Sequence, residues 1–325
     1  MSDSNRLIFT MLGPRGSGKT SMLACMNRLF EDLLPGSFYP SDRKTYASLE
    51  DAYEILETEA NSSKRQYNVK VLAGDREIKR FDFTIKGKKD SIPVTFYDFP
   101  GGFIGRNANE EDYNEVVNIV KRSAAVIVAI DTPYIMENDG EYIKYAAIRD
   151  IEQVLKKGLE DDKQDKLILL VPIKCEKYTE TWDGRQALKV AVKHAFERTL
   201  LMAESEQYKG RVAIAMLPIH TIGNVKFSRF NFFDGDKMEQ VFMKKAGQRF
   251  KPEHTDQPLR YALSFLLEQF KKKREGGSWW EQLFDWLMNL FTPDNIPEIS
   301  NYVRKGIKTT DDRFEIICGR KLLGL

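Results

Sequence analysis

The segment that most narrows what this chain can become lies near its start. An apolar run, Leu7 to Leu12, leads straight into Gly13-Pro14-Arg15-Gly16-Ser17-Gly18-Lys19-Thr20, and a helical pattern begins at Lys19. Glycines let the backbone turn tightly between a strand and a helix, so successive N–H groups and the helix N-terminus converge on one point. That point suits a pyrophosphate. With GxxxxGK[ST] spacing, the Lys19 ammonium bridges the β- and γ-phosphates of a nucleoside triphosphate and the Thr20 hydroxyl ligates Mg²⁺. Gly13, Arg15, Gly16, Ser17, Gly18, Lys19, Thr20 and Ser21 are the candidate phosphate-binding residues.

Four more apolar runs follow the first: Val94 to Tyr97, Ala124 to Ile130, Leu167 to Ile173, and Val212 to Leu217. Unbroken apolar character predicts strands buried on both faces. Helical patterns separate them at Lys19 to Leu33, Glu111 to Lys121, Glu141 to Lys156 and Arg185 to Glu204, with another at Pro258 to Lys272. This alternation predicts an α/β, doubly wound and mostly parallel sheet. Glu77 to Thr84 reads as a strand joined to the next by Lys86-Gly87-Lys88-Lys89-Asp90, short enough for a hairpin, which predicts one antiparallel edge strand. Residues 1–272 thus form one domain with a long polar insertion at about 35–76, carrying a small helix around Leu49 to Ala60. Residues 273–325 read as a C-terminal extension with a tryptophan-rich helical segment.

A second motif, Asp98-Phe99-Pro100-Gly101, follows the strand at Val94. An aspartate at that strand end can hold Mg²⁺ through water, and Gly101 can offer its N–H to a γ-phosphate because glycine permits close approach. A third, Ile173-Lys174-Cys175-Glu176, ends the strand at Leu167. There Glu176 can accept hydrogen bonds from a guanine edge while the Lys174 stem lies along the base. A solvated Lys/Glu loop is the alternative. The fourth, Pro218 to Gly223, brings Thr221 to the position of a base-side loop by placement alone.

The order GPRGSGKT, YDFPGG, VPIKCEKY, LPIHTIG resembles the TRAFAC-type P-loop GTPases. It is most similar to the bacterial double-GTPase (DO-GTPase) domains, over roughly Leu7 to Phe270. The resemblance implies a small-GTPase-like P-loop fold, GTP and GDP with Mg²⁺ as ligands, slow hydrolysis, and a protein partner that senses the bound state. Several positions depart from that pattern. Glu176 stands where aspartate is usual and Ile173 where Asn or Thr is. Gly102 occupies the position of the water-orienting glutamine, and neither Ser62, Ser63 nor Thr84 has the context of a switch-one threonine. Arg15 or Arg106 can supply transition-state charge, as an arginine finger does. With Lys19 and Gly101 they are the candidate catalytic residues, and Thr20 and Asp98 the candidate metal ligands. An ATPase, a small-molecule kinase and a nucleotide-binding module without turnover are the competing readings.

Composition constrains partners. A formal net charge of +2 over 325 residues gives no reason to expect nucleic acid. Cys25, Cys175 and Cys318 are odd in number and widely spaced, which fits a reducing cytoplasm. His194, His220 and His254 are scattered in sequence and suggest no metal site. No signal peptide and no membrane-spanning run are expected. The segment from Trp279 to Phe291 has an apolar helical face rich in tryptophan behind Lys271 to Arg274. Its polar face is acidic, so docking to a protein partner or to a second copy is favoured over peripheral membrane attachment through 278–291.

Overall fold

In this computed structural model the described residues are 6–33, 38–68, 77–86, 91–105, 108–160, 164–233, 237–272, 305–309 and 311–325. Along the chain they form β1 (Leu7–Leu12), α1 (Lys19–Leu33), β2 (Phe38–Pro40), α2 (Arg43–Asn61), β3 (Gln66–Tyr67), β4 (Lys79–Lys86) and β5 (Ser91–Asp98). Next come α3 (Glu110–Arg122), β6 (Ala125–Asp131), α4 (Thr132–Met136), α5 (Ile148–Leu159), β7 (Lys166–Ile173), α6 (Trp182–Ala195) and α7 (Glu197–Glu204). The remainder is β8 (Val212–Met216), β9 (Val225–Phe233), β10 (Lys237–Lys244), α8 (Gln257–Lys272) and β11 (Glu315–Cys318).

The main sheet has the order β11-β8-β7-β6-β1-β5-β4-β2. The five strands expected from apolar runs sit side by side in its centre and are mutually parallel. Period-two alternation sends Phe9 and Met11 to one face and Ile8 and Leu12 to the other, and all four are buried. On the first face α1 and α8 contribute Met22, Phe30, Tyr261 and Phe265. On the second, α3 and α5 contribute Val116, Val120, Ile151 and Leu155. This is the doubly wound α/β sheet that the sequence predicts.

Its borders differ in detail. β4 is antiparallel to β5, as expected, but the short β2 pairs outside it and takes the edge. At the opposite border Glu315 to Cys318 pair antiparallel with β8, so part of the stretch read as an extension is hydrogen bonded into the main sheet. The helix expected from Glu141 starts at Ile148, because Ala147 adopts a left-handed conformation (φ 53°) after a 3₁₀ turn at 143–146. The one expected from Arg185 to Glu204 divides at Phe196, whose ψ of 23° interrupts the helical path. The insertion helix is longer than expected. The Asp42 side chain caps it, accepting from the Thr45 N–H at 2.8 Å.

A second sheet, β3-β10-β9, is absent from the sequence reading. It is antiparallel, and its Tyr67, Val225, Phe227 and Phe242 form a third apolar cluster with Cys25 of α1 and Leu56 and Ala60 of α2. This cluster closes over the end of the main sheet where the strands of the motifs terminate. The tryptophan-rich segment 278–291 lies outside the described residues. Among those residues no helix is long and apolar enough to cross a membrane.

Candidate functional site

β1 and β5 are in parallel register, with Met11 opposite Asp98. That register sets the loop after β1 beside the loop after β5. Three glycines give the first loop its shape: Gly13, Gly16 and Gly18 have φ of 153°, 74° and 103°. The Lys19 ammonium folds back inside it, donating to the Gly13 and Pro14 carbonyls at 3.1 and 3.3 Å and standing 3.7 Å from Asp98. Thr20 donates its hydroxyl to the other Asp98 oxygen at 2.7 Å. Gly101 meets the loop so closely that a Cβ there would lie 2.3 Å from the Arg15 nitrogen. Only glycine fits at that contact.

Burial dominates the electrostatics of this end. Burial pushes the Asp98 carboxyl above its ordinary range, and Lys19 opposes the shift only in part. Burial likewise pulls the Lys19 ammonium down. Ser17 is fully buried, and its hydroxyl has no hydrogen-bond partner among the described residues. A buried hydroxyl of this kind calls for an explanation, because most buried polar groups are hydrogen bonded. Arg15 and Gly16 are exposed at the mouth, and both line the cleft together with Ser21. Gly13 stays buried beneath, against the Ala129 carbonyl.

The cleft holds about 400 Å³ and runs from this loop to the ends of β7 and β8. Such a volume is within the usual range for small-molecule sites. At the far end Lys174, Glu176, Thr221, Ile222, Val225 and Phe242 line it. Glu176 is buried and accepts from the Gly223 N–H at 3.3 Å. Lys174 is held in the left-handed region (φ 59°). Cys25 of α1 reaches the Thr221 carbonyl at 3.2 Å, tying the helix of the first loop to the loop after β8. Of the four motifs, all reach one cleft. Arg106 lies outside the described residues.

Sequence reasoning missed the walls. Ser48, Asp51, Ala52 and Ile55 line the cleft from one face of α2, at helical spacing. Tyr67 and Phe242 line it from the second sheet. The α2 face was readable, since polar Ser48 and Asp51 recur at intervals that fit apolar Ala52 and Ile55. The contribution of Phe242 was not, because nothing local links it to Glu176. His220 and His254, scattered in sequence, also come together, with ring centroids 6.4 Å apart.

The sequence of residues 8–218 matches the Double-GTPase 2 family, and that span runs from β1 through β8 and includes the first three motifs whole. The chain belongs to this family. No curated protein matches it. Among solved structures, this double-GTPase is similar to a signal recognition particle receptor SRb-GTP/SRX complex from Chaetomium thermophilum. That likeness has 15% identity and a TM-score of 0.39, covering 67% of this chain and 92% of that one. It is also similar to the S. cerevisiae Ski7 GTPase-like domain bound to GTP, with 13% identity and a TM-score of 0.38, covering 66% of this chain and 43% of that one. A bacterial selenocysteine-specific elongation factor, EF-Sec, matches at 12% identity and a TM-score of 0.31, over 73% and 34% of the two chains. The double-GTPase thus spans less than half the length of the last two. Membership in a GTPase family supports GTP binding by this chain.

Proposed function

We propose that this double-GTPase is a GTP-binding switch that hydrolyses its nucleotide slowly or with a partner's help, and that it relays the bound state to a protein. One observation carries the reading. A single cleft has, at one end, a buried ammonium and a hydroxyl with no partner among the described residues, and at the other a buried carboxylate. A triphosphate answers the first end. A guanine edge, with donors at N1 and N2, answers the second.

In this reading Lys19 exchanges its two loop carbonyls for β- and γ-phosphate oxygens, and the Ser17 hydroxyl gains an acceptor. Mg²⁺ would be held by Thr20 and, through water, by Asp98, and it would neutralise charge on the phosphoryl oxygens. The fit is supported by the Thr20–Asp98 contact and by burial raising the Asp98 carboxyl, a shift that a nearby cation reverses. Gly101 presents its N–H beside the loop, and a γ-phosphate there fixes the short 3₁₀ turn from Gly101 to Phe103. Gly102 has no side chain with which to orient water, which supports slow intrinsic turnover. Arg15, which lines the cleft, is the first candidate for transition-state charge, with Arg106 the second.

Titration of fluorescent GDP, GTP and ATP analogues with Mg²⁺, on the natural chain and on Glu176→Ala, tests the ligand. Loss of guanine preference with retained phosphate affinity supports the base contact, and an unchanged preference removes it. A single-turnover assay tests the rate. Fast hydrolysis by the isolated chain would refute the slow switch.

A further inference from the structure

Lys174 is held by more than the cleft. Across β6 and β7 Asp131 stands opposite Ile173, so the carboxylate ending β6 lies beside the lysine that follows β7. The Lys174 ammonium donates to Asp131 Oδ2 at 2.6 Å and to Gln240 Oε1 at 2.7 Å. Gln240 completes the ring by donating its Nε2 to Asp131 Oδ1 at 2.7 Å. Asp131 is 2% exposed and Gln240 8%. A carboxylate so far from water is costly unless every oxygen is matched, and here both are. Below the ring, Phe242 places its face 5.8 Å from the same ammonium.

Lys174 and Phe242 line the cleft, whereas Asp131 and Gln240 do not. Gln240 sits on β10, beyond the 8–218 span of the family match. We propose that Asp131 and Gln240 are positioning residues of the nucleoside end: they fix the Lys174 side chain where its stem lies along the base, and Gln240 makes the second sheet part of nucleoside recognition. This rests on the GTP reading above. A lysine stem has four rotatable carbons, and anchoring its head leaves few of its rotamers to be lost when a base arrives. The left-handed backbone at Lys174 aims the stem, and the ring holds its tip. Neither residue reaches the phosphate loop in the contacts just described, so the effect is confined to the nucleoside.

The test uses the full chain with Mg²⁺, natural and as Gln240→Leu, Asp131→Asn and the double variant. Affinities for a fluorescent GTP analogue and, by competition, for ATP and tripolyphosphate are measured on each, with melting temperature as the check on folding. Each single variant is expected to bind GTP about tenfold more weakly and tripolyphosphate within about twofold of the natural chain. The double variant should lose no more than the worse single one, since both act through Lys174. Gln240→Leu keeps the test alive if Asp131→Asn fails to fold. Unchanged GTP affinity in folded Gln240→Leu overturns the proposal. So does an equal fall for GTP and tripolyphosphate, which marks a structural role only. If the natural chain binds tripolyphosphate but shows no preference for GTP over ATP, the parent reading fails instead, and this one with it.

Discussion

The two ends of the cleft are built in different ways. The proposed phosphate end is nearly continuous in sequence: eight residues from Gly13 to Thr20 supply its loop, Asp98 ends the neighbouring strand, and Gly101 lies in the turn after it. Much of what it offers is backbone. The proposed nucleoside end gathers Leu56 from α2, Tyr67 from β3, Glu176 after β7, Thr221 after β8 and Phe242 from β10. Nearly everything it offers is side chain. Backbone sites depend on local conformation, which a few glycines dictate. Side-chain sites depend on long-range packing, which brings residues together from separate elements and leaves little local trace.

The comparison makes separable predictions. The largest effect belongs to Lys19→Ala, which removes the only ammonium inside the loop. It should weaken GTP and tripolyphosphate alike by about 100-fold, or ~3 kcal/mol, the upper range for a hydrogen bond to a charged group. Equilibrium titration of both ligands checks it, and retained affinity for either breaks the phosphate end. Next comes Glu176→Ala, expected to cost GTP about 2 kcal/mol while leaving ATP and tripolyphosphate nearly unchanged. A loss shared by all three would mean that the two ends are not independent.

Gly101→Ala should be felt at the phosphate end and nowhere else. Its added Cβ would meet Arg15 N at 2.3 Å and the Pro14 carbonyl carbon at 2.8 Å, so the two loops must part. A stability loss of about 1–2 kcal/mol in thermal unfolding is expected, with weaker tripolyphosphate binding and an unaltered GTP-to-ATP ratio. The smallest effect concerns the brace behind the nucleoside end, where His220 and Glu253 exchange two backbone hydrogen bonds. The next residue, His254, is held at about 4, chiefly by burial and then by Arg313, Lys308 and His220 around it, against an ordinary 6.5. Glu253 acts in the opposite direction. The neutral ring is the folded form, so its stabilisation is complete above pH 6.5 and is lost as pH falls towards 4. After allowance for solvent screening this amounts to about 1 kcal/mol. Melting curves of His254→Phe, which keeps a ring against Phe314, should fall less steeply over that window than those of the natural chain.

The same division explains what was legible in the sequence. The central parallel strands announced themselves because burial on both faces demands unbroken apolar runs. α2 announced itself through its own periodicity. β9 did not, because its alternation changes phase: Val225 and Phe227 are followed by Phe230 and Phe232, and the slip matches a bulge opposite Val241 and Phe242. β11 is four residues long and irregular in register, too short to be told from a loop. The start of α5 was misplaced because a left-handed alanine carries no sequence signal. At the site, Arg15 to Ser21 were named in advance and line one cleft, with Gly13 buried beneath it. Glu176 was named on a motif that departs from its usual form, while Asp131 and Gln240, separated from Lys174 by 43 and 66 residues, left nothing to read.

Most of this account depends on a cleft whose two ends recognise different halves of one ligand. Competitive titration of the natural chain with GTP, ATP and tripolyphosphate, in the presence of Mg²⁺, addresses that directly. GTP should bind tightest, and ATP should gain little over tripolyphosphate because the adenine edge, with an acceptor at N1 and no 2-amino group, lacks the paired donors that the Glu176 carboxylate would accept. Equal affinity for GTP and ATP would contradict the nucleoside end, and no measurable binding of tripolyphosphate would contradict the phosphate end.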